Sequence, residues 1–243
     1  MRLCVTVLAV ALAAVLTPLG AVSAGAADPL VGAPVVGQCS NYDYKAMVKE
    51  TAPSGGPVDC ASVHTAITVA VVPLPDRLPL TGDTGKTFAY LIKQCRPAFT
   101  AAIGVSHKKQ HIAAFIRTLY LPSKALVEQG ARWGRCDVVS MAGTKLVPIG
   151  AATPLVTSTL QGDTLRCLNK KKLSTPCSRA HAWEPTKIIT LRGSSFPAEA
   201  KQIRIGRRQC DAATRRRSTY IFWDISRASW KHGERHIVCW QST

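Results

Sequence analysis

The chain has 243 residues, with 31 Lys/Arg against 14 Asp/Glu, a formal charge of +17, and nine cysteines. The acidic residues do not cluster along the sequence, so no paired-carboxylate or calcium-loop pattern appears in it. Positive charge of this size draws in polyanions from beyond contact range.

The first stretch, "MRLCVTVLAVALAAVLTPLGAVSAGAADP", has one early cation, Arg2, then an apolar run from Leu3 to Leu16. Pro18 and Gly20 break that run, and Ala24-Gly25-Ala26 is an A-x-A exit. This order predicts a secretory signal over 1–26, cleaved after Ala26. An uncleaved N-terminal anchor is the alternative, and only then would the protein touch a membrane. Cys4 lies at the start of the apolar run and not at its end, which argues against lipidation. No later segment is apolar for long enough to span a bilayer.

Eight cysteines remain: Cys39, Cys60, Cys95, Cys136, Cys167, Cys177, Cys210 and Cys239. An even number in an exported chain predicts four disulfides. "VDCASVHTAIT" sets Cys60 four residues before His64, and "HTAITVAVVPLP" then reads as a β-branched strand ended by prolines. "LTGDTGKT" (80–87) has Leu80 where a phosphate-binding loop needs Gly, so it is a turn before a helix. In "GKTFAYLIKQCRPAF", Phe88, Leu91 and Ile92 fall at helical spacing, Cys95 follows, and Pro97 is expected to end the helix. "KKQHIAAFIRTLY" fits a helix or a long strand. His107 and His111 would share a helix face, but Lys108 replaces the general-base Glu of a metalloprotease motif, so a solvated basic face is expected. "RCDVVSM" closes this half, and the Pro/Gly/Ser/Thr-rich stretch 148–162 reads as a linker.

The same landmarks then recur. "TPCSRAHAWEP" sets Cys177 four residues before His181, and "AWEPTKIITLRG" is the second strand. The next cysteine lies 35 residues after Cys60 and 33 after Cys177. "GARWGRC" and "GERHIVC" both read G-x-R-x3-C, with Arg132 and Arg235 in matching places. This echo predicts a β-rich α+β fold of two similar small disulfide-stabilised domains in tandem, 27–147 and 163–243. Opening and closing strands lying side by side would pair Cys39 with Cys136 and Cys167 with Cys239. Cys60 would then pair with Cys95, and Cys177 with Cys210. Three connectivities per half remain open.

These motifs resemble the septum-formation domain of exported actinobacterial proteins. That domain is marked by G-D-C, P-C-x2-P-H-x2-E-V, a mid-domain cysteine and W-x2-G-x-R-x3-C. The second half keeps Pro176, Cys177, His181 and Glu184, then Trp230, Gly233, Arg235 and Cys239. The first half is looser, with Gln38, Ile67 and Val127 at positions where the pattern has Asp, Glu and Trp. The resemblance covers about residues 36–140 and 160–243, and implies a link to the cell envelope and division rather than a reaction.

The Cys–His pairs admit several readings. Cys60, His64, Cys177 and His181 could together hold zinc, or a free thiolate could serve catalysis, but cysteines with partners in their own half favour staples. The histidines would then hydrogen-bond locally, with His181 and Glu184 as candidate ligand contacts. Arg132 and Arg235 read as structural arginines, Arg235 also as a candidate ligand contact. Residues 151–243 carry 17 Lys/Arg and 6 Asp/Glu, so the excess charge lies in the second half. Lys170, Lys171, Lys172, Arg204, Arg207, Arg208, Arg215, Arg216 and Arg217 are the candidate polyanion contacts. Trp183, Tyr220, Phe222, Trp223, Trp230 and Trp240 would be core or a platform beside them.

The expected function is that of a non-enzymatic, secreted or envelope-associated protein. It would bind anionic envelope polymers or an envelope protein, with no catalytic residue, metal ligand or cofactor. The alternatives are a Cys/His metal-binding or enzymatic secreted protein, and a secreted cationic protein that binds nucleic acid or membranes.

Overall fold

A computed structural model describes residues 28–53, 55–151, 153–214, 220–223 and 225–243. The signal segment and Arg215, Arg216 and Arg217 lie outside the described residues. Ten elements form the first half: β1 (Cys39–Ser40), α1 (Tyr44–Met47), β2 (Pro57–Val58), β3 (Ala66–Pro73), α2 (Gly85–Ile103), α3 (His107–Gln110), β4 (Phe115–Tyr120), α4 (Lys124–Glu128), β5 (Trp133–Ala142) and β6 (Lys145–Val147). Seven form the second: β7 (Arg166–Leu168), β8 (Ser174–Pro176), β9 (Trp183–Thr190), α5 (Glu199–Ala213), β10 (Tyr220–Ile221), α6 (Arg227–Lys231) and β11 (His236–Ser242). The result is β-rich with helices.

The first sheet has the order β2-β1-β3-β5-β4, with β6 also paired to β5. The second has the order β10-β11-β9-β7-β8. β3 and β9 are strands because β-branched residues fill both faces of the pleat, as the sequence implied. Side chains alternate across β5. Cys136 and Val138 face α2, while Arg135, Asp137 and Val139 face the layer built around Tyr42 and Tyr120. In β11, Ile237 and Cys239 likewise face α5, and Val238 and Trp240 face away from it.

Helix α2 does not stop at Pro97; it continues to Ile103. The missing N–H removes one helical bond, but Phe99, Ala102 and Ile103 then bury against Phe115 and Val138. Each large apolar side chain so buried is worth about 1.5–3 kcal/mol, more than that single bond. Gly104 ends the helix at φ +75, and a Cβ there would lie 2.6 Å from the Val156 carbonyl oxygen. The undecided "KKQHIAAFIRTLY" contains both forms: the short α3, then β4.

The cysteine pairing differs from the expectation. The bridges are Cys39–Cys60, Cys95–Cys136, Cys167–Cys177 and Cys210–Cys239. The reason is strand order. β3 lies between β1 and β5, and β9 between β7 and β11, so opening and closing strands are two spacings apart, about 9.6 Å. That exceeds a disulfide's reach. Helix α2 lies on β5 and α5 on β11, which brings Cys95 to Cys136 and Cys210 to Cys239. All four bridges stay within one half.

Residues 148–162 connect the sheets but also pack on the first. Val156 is buried, and Leu155 and Val156 donate backbone hydrogen bonds to Ala102 and Ile103. Just beyond, the backbones of 112–114 and 164–166 zip together: Ala114 donates to Thr164 (2.8 Å) and Arg166 to Ile112 (2.8 Å). Ile112 completes the apolar cluster of Leu168, Val238 and Trp240. This seam sets α3 against the start of β11. Among the described residues, no helix is long and apolar enough to cross a membrane.

Candidate functional site

The two C-x3-H elements are built alike. Cys60 is bonded to Cys39 and Cys177 to Cys167, so neither sulfur is a thiolate. A zinc or nucleophilic site built on Cys60 and Cys177 is thereby overturned. His64 is buried, with Nδ1 2.8 Å from the Ser62 carbonyl oxygen and Nε2 3.2 Å from that of Gly150. His181 places Nδ1 2.7 Å from the Arg179 carbonyl oxygen and Nε2 3.0 Å from Glu184 Oε1. In both, one ring nitrogen meets the carbonyl two residues back, and the other meets a further oxygen.

The candidate cations are placed in two groups. Lys170, Lys171 and Lys172 stand exposed at the tip between β7 and β8. Asn169 shapes that tip: its Oδ1 accepts from the Lys171 and Leu173 amides, and Lys172 takes φ 62. Lys170 and Lys171 line one cleft with Ala180 and His181, so two sets of candidate residues meet there. Arg204, Arg207 and Arg208 lie exposed on α5, away from its buried Gln202, Gly206 and Cys210. Arg235 is engaged elsewhere. Its guanidinium donates to the Trp230 and Glu234 carbonyls at 2.7 and 2.8 Å and sits 3.6 Å from the centre of the Trp230 ring. Arg132 similarly donates to the carbonyls of Pro75, Asp76 and Leu78. Trp240 and Trp230 are core, while Trp223 is half exposed.

A third constellation was not foreseen. His107 and His111, one turn apart on and just past α3, meet His236 at the start of β11. Ring centres lie 5.5 Å apart for His107–His111, 5.7 Å for His107–His236 and 4.6 Å for His111–His236. The three donor atoms lie within 4.8 Å of one another. Glu234 reaches in from two residues before His236, with Oε1 3.7 Å from His107 Nε2 and Oε2 3.2 Å from His111 Nε2. This overturns the solvated basic face expected here: only Lys108 and Lys109 point to water, and the histidines are half-buried.

Burial, then His107 and Arg166, hold the His111 imidazole down at about 4. Burial, then His111 and His107, do the same for His236, also at about 4, against an opposing pull from Glu234. Both rings are therefore neutral near pH 7, with a lone pair on one nitrogen. His111 Nε2 and His236 Nδ1 are buried with no hydrogen-bond partner among the described residues. Arg96, Arg117 and Arg166 line the same cleft. Arg117 lies over Phe99 at 5.7 Å and Arg166 over Trp240 at 5.3 Å. The i, i+4 histidine pair was visible in the sequence. His236 and Glu234 join it only through the seam between the sheets, which no local pattern encodes.

The family model described as "Septum formation" matches residues 108–239 in one run, more than half of the chain. The chain belongs to the septum formation family. No curated protein and no solved structure matches it. In this septum formation protein the matched run starts inside α3 and ends at Cys239, crossing the seam. It takes in the lysine tip, the His181–Glu184 pair and three members of the seam cluster. Family and disulfides together suggest an extracellular protein.

Proposed function

We propose that this septum formation protein is an exported, non-enzymatic binding protein of the cell envelope. It is built from two similar disulfide-stapled units in tandem, and the second unit contacts anionic envelope polymers or the acidic face of an envelope protein. What supports the two-unit reading is strand order. Reading β1 as β7, β2 as β8, β3 as β9, β4 as β10 and β5 as β11 turns one sheet order into the other. In each, a helix is bonded to the closing strand and the opening strand to the C-x3-H cysteine.

The observation that carries the binding reading is the cleft where Lys170 and Lys171 stand beside His181 and its partner Glu184. Exposed lysines on a rigid tip present charge at little further ordering cost. Arg204, Arg207 and Arg208 add a second cationic stripe on α5. Export follows from the signal predicted over 1–26. The test is co-sedimentation of the mature protein with envelope fractions of its own host across a salt gradient. Retention that weakens with salt and prefers envelope over nucleic acid and plain anionic vesicles is the expected result. Equal retention on all three would make the protein a general polycation binder and sink the proposal.

A further inference from the structure

We infer that His107, His111 and His236, with Glu234 as fourth donor, form a binding site for one divalent transition-metal ion of the zinc class at the seam between the two sheets. This goes beyond the envelope-binding proposal and does not depend on it.

The donor set argues for the class. Three imidazole nitrogens and one carboxylate oxygen suit zinc and its borderline neighbours, and do not suit calcium or magnesium, which need oxygen shells. Placement argues for convergence. α3 supplies two rings one turn apart, and the approach to β11 supplies a carboxylate and a ring two residues apart, hence on one side of the extended chain. Tetrahedral donors at about 2.0–2.1 Å from zinc stand roughly 3.3 Å from one another. The histidine donors here lie within 4.8 Å, so small rotations about the side-chain bonds close the set.

Comparison with the other buried or partnered histidines favours a ligand. Both ring nitrogens of His64 and of His181 have oxygen partners. His236 Nδ1 has none among the described residues, and the contact His111 Nε2 makes at 3.2 Å with Glu234 Oε2 lacks hydrogen-bond geometry. A buried polar atom left without a partner costs about 1–3 kcal/mol, which ordinary packing histidines avoid. The arginines lining the cleft oppose a cation, and Glu234 is the one carboxylate among its lining residues. Glu234, as a ligand, would offset part of that positive charge. The other candidate group among the described residues, Cys167 with His181 and Glu184, is no rival, because Cys167 is bonded to Cys177. A metal at the seam would tie α3 to β11 and lock the two sheets in one relative position.

The test uses the mature, tag-free protein, since an oligohistidine tag would itself bind metal. Zinc is titrated calorimetrically into chelator-treated protein, and metal content after dialysis is measured by mass spectrometry. Cobalt substitution reports coordination through its visible absorption. The expected result is one ion per chain with four-coordinate cobalt bands, weakened at least tenfold in H107A, H236A and E234Q, and unchanged in H232Q, which alters an exposed histidine outside the cluster. Near-ultraviolet circular dichroism identifies any variant that fails to fold, and H107A, at a half-exposed position, is the variant least exposed to that failure. Absence of saturable binding to the wild-type chain, or binding indifferent to H107A and H236A, overturns the proposal. Binding that survives only E234Q reduces the site to three histidines and overturns the carboxylate's part.

Discussion

Arg135 and Asp137 stand two apart on β5, and their side chains meet at 2.7 Å on the sheet face turned from α2, both fully buried. Asp137 also accepts from Thr68 Oγ1 and from the Tyr42 hydroxyl, each at 2.9 Å, while Arg135 donates to Ser40. Tyr120 donates to Tyr42 and lies edge-on to it. Burial first, then the Asp137 charge, pushes the Tyr42 hydroxyl up, so it remains a protonated donor. The carboxylate is thus neutralised and satisfied at once.

Removing one partner strands the other. Asp137→Ala leaves a buried guanidinium without its charge, and should destabilise by about 3–5 kcal/mol in urea unfolding. Tyr42→Phe deletes one hydrogen bond and should cost about 1–2 kcal/mol. A D137A loss below the Y42F loss would mean that water reaches Arg135.

The bridges close loops of different length, with sequence separations of 41 for Cys95–Cys136 and 10 for Cys167–Cys177. Chain entropy gives about 4 kcal/mol for the first and about 2.7 kcal/mol for the second. Replacing each pair by serine, or better by alanine in the buried Cys95–Cys136 case, should follow that order. A non-reducing peptide map gives the pairing directly, and a Cys39–Cys136 or Cys60–Cys95 peptide would contradict the fold.

The strands were legible because each local run carries its own signal: β-branched residues, then proline or a cysteine landmark. β3 and β9 fall inside the segments so marked, and the RCDVVSM segment lies within β5. Cysteine pairing was not legible, because it depends on β3 and β9 inserting between partners that the sequence order suggests are neighbours. The end of α2 was misread at Pro97 since the burial of Phe99 and Ile103, a tertiary effect, outweighs one lost bond. The His107–His111 pair was seen, and its environment was not. What surrounds it comes from Glu234 and His236, in the other half of the chain.

Acid should weaken the metal-free protein through that same cluster. His111 and His236 titrate at about 4 when folded, against about 6.5 in the unfolded chain. Between those values the unfolded state binds more protons, so stability is full above about pH 6.5 and lost as pH falls toward 4. Solvent contact screens both rings, so the loss is about 1–2 kcal/mol rather than the full linkage value. Thermal melts of chelator-treated protein should show this slope, flattened in H111Q/H236Q. An unchanged slope in that variant would place the acid sensitivity elsewhere.

The lysine tip gives the most direct test of the binding account. Each cation near an anionic surface contributes about 1 kcal/mol, so K170Q/K171Q/K172Q should lose at most about a hundredfold in affinity while melting as the parent does. The measurement is a binding isotherm of the mature protein on a purified anionic wall polymer, at low and at physiological salt, for parent and triple variant. The account predicts saturable binding that falls with salt and falls at least tenfold in the variant. Binding of equal strength in both proteins at both salt levels, or none in either, would contradict it.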